Sequence, residues 1–293
     1  MYNRIRTKVR QITDILLGID RKAGALSHIN DQLAWMVSDR LVVEILNCDE
    51  KVAHVNCLNK YGFKVYSQNE EDGLIQRILD NVGRDSQTFV EFGIGTGLEN
   101  NTVYLLLNGW RGTWIEGNAE DVAKSKCYFE RLVASSRLNV LNRLVTAENI
   151  EGILEEAGVP DDLELLSIDI DRNDYWVWKA ITRYRPRVVI IEYNAGMGPS
   201  ADWKVCYNPD HVWNGSRNFG ASLKAMELLG REKGYVLVGC NLTGTNAFFV
   251  RSDLDLSKFL EPFTSERHFQ PPRYYLRFFP GHPVDPAEIA GFQ

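Results

Sequence analysis

The sequence predicts an α/β fold: a Rossmann-like sheet of seven strands, mostly parallel with an antiparallel last strand, behind a helical N-terminal segment. Three observations predict it. From about residue 67 onward, short apolar runs alternate with helix-period segments, the pattern of β-α-β units whose helices cover both faces of a parallel sheet. A glycine-rich turn, Gly93-Ile94-Gly95-Thr96-Gly97, follows the first of those runs directly. The last two runs, Tyr235–Cys240 and Ala247–Arg251, complete the plan as an antiparallel pair.

The elements follow in chain order. Ile5, Val9, Ile12, Leu16 and Ile19 fall at alternating spacings of four and three, the step of an apolar helix stripe. Leu26, Ile29, Leu33, Met36 and Val37 extend the apolar content less regularly, and Leu41, Val42, Ile45 and Leu46 follow. A stripe of this kind needs a partner surface. Residues 1–60 therefore read as a helical segment, either joining subunits into a homo-oligomer or packing on the chain's own main domain, 61–293. After the turn-like Asn59-Lys60-Tyr61-Gly62, a helix is expected to begin near Ser67, with Glu70 three places on as a capping partner. The segment TFVEFGI (88–94) reads as a buried strand, 99–108 as a helix and GTWIEG (112–117) as a second strand. Helix 118–136, strand Leu141–Ala147, helix 149–157, strand Leu163–Ile170, helix 174–183 and strand Arg187–Tyr193 come next. An irregular stretch at 195–219 precedes helix Ser222–Lys233 and the final strand pair.

Composition bounds the function. The chain has 293 residues, 44% hydrophobic and 25% charged, and these are globular proportions. A net charge of -6 argues against a general nucleic-acid binder, which needs a basic footprint. Cys48, Cys57, Cys127, Cys206 and Cys240 are scattered without CxxC spacing, the usage of reduced thiols. The first residues carry no apolar signal core, and no run approaches the ~20 apolar residues of a membrane span. The expected location is the cytoplasm.

The turn after the first strand carries most of the chemistry. Glycines there let the backbone approach a ligand and adopt positive φ. Glu91 is placed to accept a hydrogen bond from a ligand's ammonium or from the turn itself. Glu116, at the end of the next strand, can grip two ribose hydroxyls with one carboxylate. Together these features indicate an adenosine-containing ligand. NAD fits less well, because its fingerprint wants Gly or Ala where this chain has Leu98. A final antiparallel pair also suits a seven-stranded methyltransferase sheet better than an all-parallel dinucleotide fold.

A second group of acids lies at the same sheet edge. Asp169 and Asp171 leave one strand end, and Glu192-Tyr193-Asn194 ends the next, where open α/β folds place their sites. Asp169, Glu192 and Asn194 form an oxygen-rich set for a divalent cation, to which His211 would add a nitrogen and a preference for Fe or Mn over Mg. The same acids can instead bind substrate hydroxyls or cap helices. Asp169, Asp171, His211 and Tyr193 are the candidate catalytic residues. The insertion at 193–222 carries Trp203, Tyr207, Trp213 and Arg217, suited to stacking on a sugar or base and to contacting phosphate.

These residues resemble the FkbM-like methyltransferases. The resemblance covers about residues 61–251 and rests on Tyr66-Ser67-Gln68-Asn69-Glu70-Glu71-Asp72-Gly73, Phe89-Val90-Glu91-Phe92-Gly93, Glu99-Asn100-Asn101-Thr102 and Gly109-Trp110-Arg111-Gly112. It continues through Ile115-Glu116-Gly117-Asn118, Asp169-Ile170-Asp171 and Ile191-Glu192-Tyr193-Asn194. It implies O-methylation of a sugar, free or nucleotide-linked, or of a natural product, often for surface polysaccharide, with S-adenosylmethionine as donor. It makes Gln68, Gly93, Asn101 and Glu116 cofactor contacts; Glu91, Gly95, Thr102, Ala147, Glu148 and Asp169 complete the candidate set. The chain departs from the family at Glu91, where Asp is common, at Gly117, where Pro is common, and at Asp171, where Glu is usual. Two other readings exist. One is an NAD-dependent sugar oxidoreductase, for which Tyr175 and Lys179 have the Tyr-x-x-x-Lys spacing. The other is a non-catalytic cofactor-binding scaffold.

Overall fold

A computed structural model describes residues 29–210, 213–276 and 278. The stripe at Ile5–Ile19 and the side chain of His211 lie outside the described residues. Seven strands form one sheet: β1 Thr88–Phe92, β2 Arg111–Glu116, β3 Leu138–Asn142, β4 Leu165–Ile168, β5 Val188–Glu192, β6 Tyr235–Cys240 and β7 Asn246–Arg251. Their order is β3-β2-β1-β4-β5-β7-β6. Strands β1 to β5 are parallel, whereas β7 runs antiparallel to both β5 and β6, as the sequence indicates. The order reverses between β1 and β4, so a crevice opens beyond their carboxyl ends.

The central strands are apolar throughout because both faces are covered. Val90, Leu166, Val189 and Ile191 join one core with Trp178 and Phe249. Phe89, Leu165, Val188 and Ile190 join the opposite core with Leu74, Trp110 and Trp114. This parity sorts the strand-end side chains. Glu192 shares the face of Ile190, while Tyr193, one residue on, points the other way.

The helices are α1 (29–48), α2 Glu50–Ala53, α3 Glu71–Val82, α4 Val103–Leu107, α5 Ala119–Tyr128, α6 Glu130–Ala134, α7 Ile150–Glu156, α8 Asp174–Ala180, α9 Leu223–Glu232 and α10 Ser265–His268. Helix α1 turns Ile45 and Leu46 toward Val52, Cys57 and Leu260. Its outer side leaves Ile29, Leu33, Met36, Val37 and Val43 exposed. None of the helices is long and apolar enough to cross a membrane, among the described residues. All five cysteines are free.

The expected helix 118–136 is broken at Phe129 into α5 and α6, and three further departures from the sequence expectation have local reasons. Helix α3 starts at Glu71 rather than near Ser67, because Asp72 Oδ2 accepts the N–H groups of Val65, Tyr66 and Ser67 and holds them in a loop. Helix α4 starts only at Val103, because Glu91 accepts the N–H groups of Asn101 and Thr102 and fixes the start there. Strand β3 covers 138–142 rather than 141–147. As a sheet edge it buries only Leu138 and Val140 fully, so its signal is a weak alternation rather than an apolar run.

Candidate active site

The turn after β1 is built around one close approach. Gly93 has φ +73°, and a Cβ there would sit 1.5 Å from the carbonyl oxygen of Asp169. Only glycine fits where β1 and β4 end together. Gly93 N–H donates to Ile115 O at 3.0 Å, tying the turn to β2. Gly95, at φ +51°, has nothing near its would-be Cβ and borders open space. Its N–H donates to Glu116 Oε2 at 2.9 Å, and Asn118 N–H donates to Glu116 Oε1 at 2.8 Å. Each Glu116 oxygen keeps a second acceptor site, so the carboxylate is oriented without being used up.

A cavity of about 270 Å³ lies against this turn, walled by Gln68, Glu91, Gly93, Gly95, Asn101 and Asp169 among others. Glu91 borders it but faces inward. Its oxygens accept from Asn101 N (3.0 Å), Thr102 N (3.2 Å), Thr102 Oγ1 (2.5 Å) and Ser167 Oγ (3.2 Å). Burial pushes its carboxyl up to about 7 against the opposing pull of those four donors. Of the two roles the sequence allows Glu91, the structure shows the bracing of the turn. Thr102 is corrected as a cofactor contact: its fully buried hydroxyl donates to Glu91 and accepts from Trp114 Nε1 at 2.8 Å. Ala147 and Glu148 lie beyond β3, where Ala147 N–H donates to Tyr207 Oη at 3.1 Å and that hydroxyl donates to Glu148 Oε2.

The acids gather as expected from the strand ends, with one substitution in the set. Carboxylate oxygens of Asp169, Asp171 and Glu192 all lie within 4.8 Å of one another. Burial, and then the neighbouring charges of Asp174 and Asp171, push Asp169 far above the usual carboxylate range. Burial, then Asp169, does the same to Glu192. Glu192 Oε2 is buried with no hydrogen-bond partner. Asp171 holds φ +63°, a left-handed conformation that costs a non-glycine residue energy. Among the described residues no Lys or Arg pairs with these three: Arg172 donates to Asn218 O, and Lys179 sits over the Trp176 ring.

At the end of β5 the structure corrects two expectations. Asn194 is not a ligand of this cluster. Its Nδ2 donates to Arg217 O and Phe219 O and its Oδ1 accepts from Gly196 N, so the amide pins the insertion instead. Tyr193 does not face the acidic cluster. It points to the far face of the sheet, is fully buried, and donates to Gln270 O at 2.7 Å. Tyr175 is likewise buried in the core, so the Tyr175–Lys179 spacing does not assemble a hydride-transfer pair.

A second cavity, about 570 Å³, adjoins the first and shares Gln68 and Glu99 with it. Asp171 and Glu192 border it, with Lys64, Trp35 of α1, Trp213 of the insertion and Tyr274 of the C-terminal tail. Trp213 is an expected wall residue. Trp35 and Tyr274 carry no sequence signal of a site, since they come from segments far from the motifs.

No protein-family model matches the chain. No curated protein matches it either. Among solved structures, an O-methyltransferase from Bacillus cereus in complex with SAH is similar at 19% identity and TM-score 0.41, over 73% of this chain and 96% of that one. A S-adenosylmethionine-dependent methyltransferase from Clostridium acetobutylicum is similar at 10% identity and TM-score 0.40, over 62% of this chain and 90% of that one. The N-terminal domain of EvdMO1 with SAH bound is similar at 11% identity and TM-score 0.41, over 64% of this chain and 88% of that one.

Proposed function

We propose that this chain is a S-adenosylmethionine-dependent O-methyltransferase acting on a sugar hydroxyl, with a divalent cation assisting. The observation that carries the reading is the meeting of two cavities at the Asp169, Asp171 and Glu192 carboxylates. The smaller cavity abuts the glycine turn, whose Gly95 N–H donates to the strand-end acid Glu116, the arrangement for an adenosine-containing ligand. The larger has the aromatic walls and carboxylates that suit a polyhydroxylated ring. The motif resemblance to FkbM-like enzymes supports the sugar class, and the N-terminal segment 1–60 is assigned to assembly.

S-adenosylmethionine supplies a methyl group already activated by its sulfonium. The chain's own work is therefore to place the acceptor oxygen in line and take its proton. Gln68 and Asn101, on the wall of the smaller cavity, would hold the donor's amino-acid end, and Glu116 would orient its ribose. Asp169 borders the cofactor cavity and lies within reach of Asp171 and Glu192, which border the other, so it is placed to receive the hydroxyl proton.

The three carboxylates also fit a hard divalent cation, since the unpartnered Glu192 Oε2 offers an oxygen with no other use. Asp169, Asp171 and Glu192 would hold Mg or Mn, and a nitrogen from His211 would favour Mn or Fe. Such a cation supplies a Lewis acid for the substrate oxygen.

Thermal denaturation tests the cofactor assignment. S-adenosylmethionine or S-adenosylhomocysteine raises Tm and NAD and NADP do not, because ligand bound to the native state stabilises it by mass action. Glu116→Ala weakens that response by about tenfold in affinity, the scale of one charge-assisted hydrogen-bond set. Stabilisation by NAD alone refutes the assignment.

A further inference from the structure

The adenine end of the cofactor subsite contains a side chain already making the bonds that adenine would make. This inference rests on the reading of the smaller cavity as a S-adenosylmethionine site and deepens it. Ribose bound at Glu116 places its base beyond the ends of β2 and β3. There Leu144 is 64% exposed, and its Cδ1 lies 3.3 Å from where a Gly117 Cβ would be. An exposed leucine beside a glycine without a side chain is a flat apolar shelf for an aromatic ring. Three and four residues on from Leu144, the same loop carries one donor, Ala147 N–H, and one acceptor, the Glu148 carboxylate.

Adenine's Watson–Crick edge offers the complementary pair, an acceptor at N1 and a donor at the N6 amino group. The Tyr207 hydroxyl presents the same pair: it accepts from Ala147 N–H at 3.1 Å and donates to Glu148 Oε2. Burial and the Glu148 charge raise the phenol's pKa, so it remains a donor at neutral pH. The backbone on either side is held independently. Trp176 Nε1 donates to Val205 O at 2.8 Å, and Asn173 Nδ2 donates to Asn208 O at 2.9 Å. Val205 N–H also donates to Gly220 O at 3.0 Å. Tyr207 can therefore leave by rotating its side chain while the segment carrying it stays in place.

We propose that Tyr207 is a stand-in for adenine: its hydroxyl occupies the base-reading pair Ala147 and Glu148, and the cofactor binds by displacing it. Tyr207 thereby sets cofactor affinity without contacting the reacting atoms. The pair also selects for a 6-amino purine, because a 6-oxo purine reverses both hydrogen-bonding senses.

Isothermal titration of the full chain and of Tyr207→Phe tests this, with S-adenosylhomocysteine and its 6-oxo analogue S-inosylhomocysteine as ligands. The phenyl ring keeps the packing against Trp176 and cannot compete for either bond. The proposal requires Tyr207→Phe to bind S-adenosylhomocysteine about three- to tenfold more tightly than wild type, the range set by one or two net hydrogen bonds. It also requires no such gain for S-inosylhomocysteine. Equal or weaker binding of S-adenosylhomocysteine by the variant, with wild type binding normally, overturns the stand-in role and leaves the methyltransferase reading intact. An equal gain for both ligands overturns the base-edge assignment. No binding by either protein refutes the cofactor reading and the proposal with it.

Discussion

Replacing Glu192 by Gln isolates the electrostatics of the acidic cluster. Asp169 and Glu192 lie within 4.8 Å of each other, with no Lys or Arg pairing with either among the described residues. At an effective dielectric of about 20, two full charges at that separation repel by about 3 kcal/mol. The chelated protein avoids this by holding a proton: burial first, and then neighbouring carboxylates, push both groups far above the usual carboxylate range. A carboxyl with a raised folded-state pKa contributes stability that is fully present below its unfolded pKa of about 4. That stability is lost as pH rises through the raised folded-state value. Glu192→Gln removes one partner of the repulsion and keeps the side chain's shape. In EDTA, its Tm should equal that of wild type near pH 4 and exceed it increasingly toward pH 9. The ceiling is about 3 kcal/mol, or roughly 6–9 °C at about 2–3 °C per kcal/mol for a chain of this size. Scanning calorimetry across that pH range is the assay. A variant less stable than wild type at pH 9, or a gap that does not change with pH, would refute the reasoning, because it would mean a cation of the protein already neutralises the pair.

Further outcomes follow from the same geometry. Gly93→Ala should cost more than about 4 kcal/mol in urea denaturation, since its Cβ falls 1.5 Å from Asp169 O, whereas Gly95→Ala should cost only the ~1–2 kcal/mol of a left-handed alanine. Near-equal costs would show that the β1–β4 approach relaxes. Chelation should suppress methyl transfer while leaving S-adenosylhomocysteine affinity within about twofold, and Asp169→Asn should lose retained metal by elemental analysis; full activity after exhaustive chelation assigns Asp169 as an unaided base. The exposed stripe at Ile29, Leu33, Met36, Val37 and Val43 should place the chain in a homo-oligomer by light scattering, reduced toward monomer when residues 5–46 are removed. A wild-type monomer at micromolar concentration removes the assembly role.

The sheet was legible because its central strands are buried on both faces and so appear as unbroken apolar runs. Strand β3 was displaced in the reading because an edge strand half in water shows only Leu138 and Val140. The helix starts differ from the sequence expectation where Asp72 and Glu91 capture backbone N–H groups, a contact between residues that spacing alone does not reveal. The glycine turn and the acids Glu116, Asp169, Asp171 and Glu192 were legible because strand ends converge on one edge of such a sheet. Tyr193 neighbours Glu192 in sequence, but strand parity turns it to the opposite face of the sheet, which spacing alone does not reveal. Asn194 lies beside the acids in sequence, but its amide is committed to Gly196, Arg217 and Phe219, contacts that only the folded insertion supplies. Trp35 and Tyr274, from opposite ends of the chain, reach the larger cavity only through tertiary packing.

The central claim is that the turn after β1 and the acid at the end of β2 hold the adenosine-linked cofactor beside the acidic cluster. Crystals grown with S-adenosylhomocysteine test it directly. The account predicts ribose hydroxyls on Glu116, the amino-acid tail between Gln68 and Asn101 against Gly93, and the sulfur facing Asp169. Density for the ligand away from the Gly93–Gly97 turn, or NAD bound there with its ribose on Glu116, would contradict it.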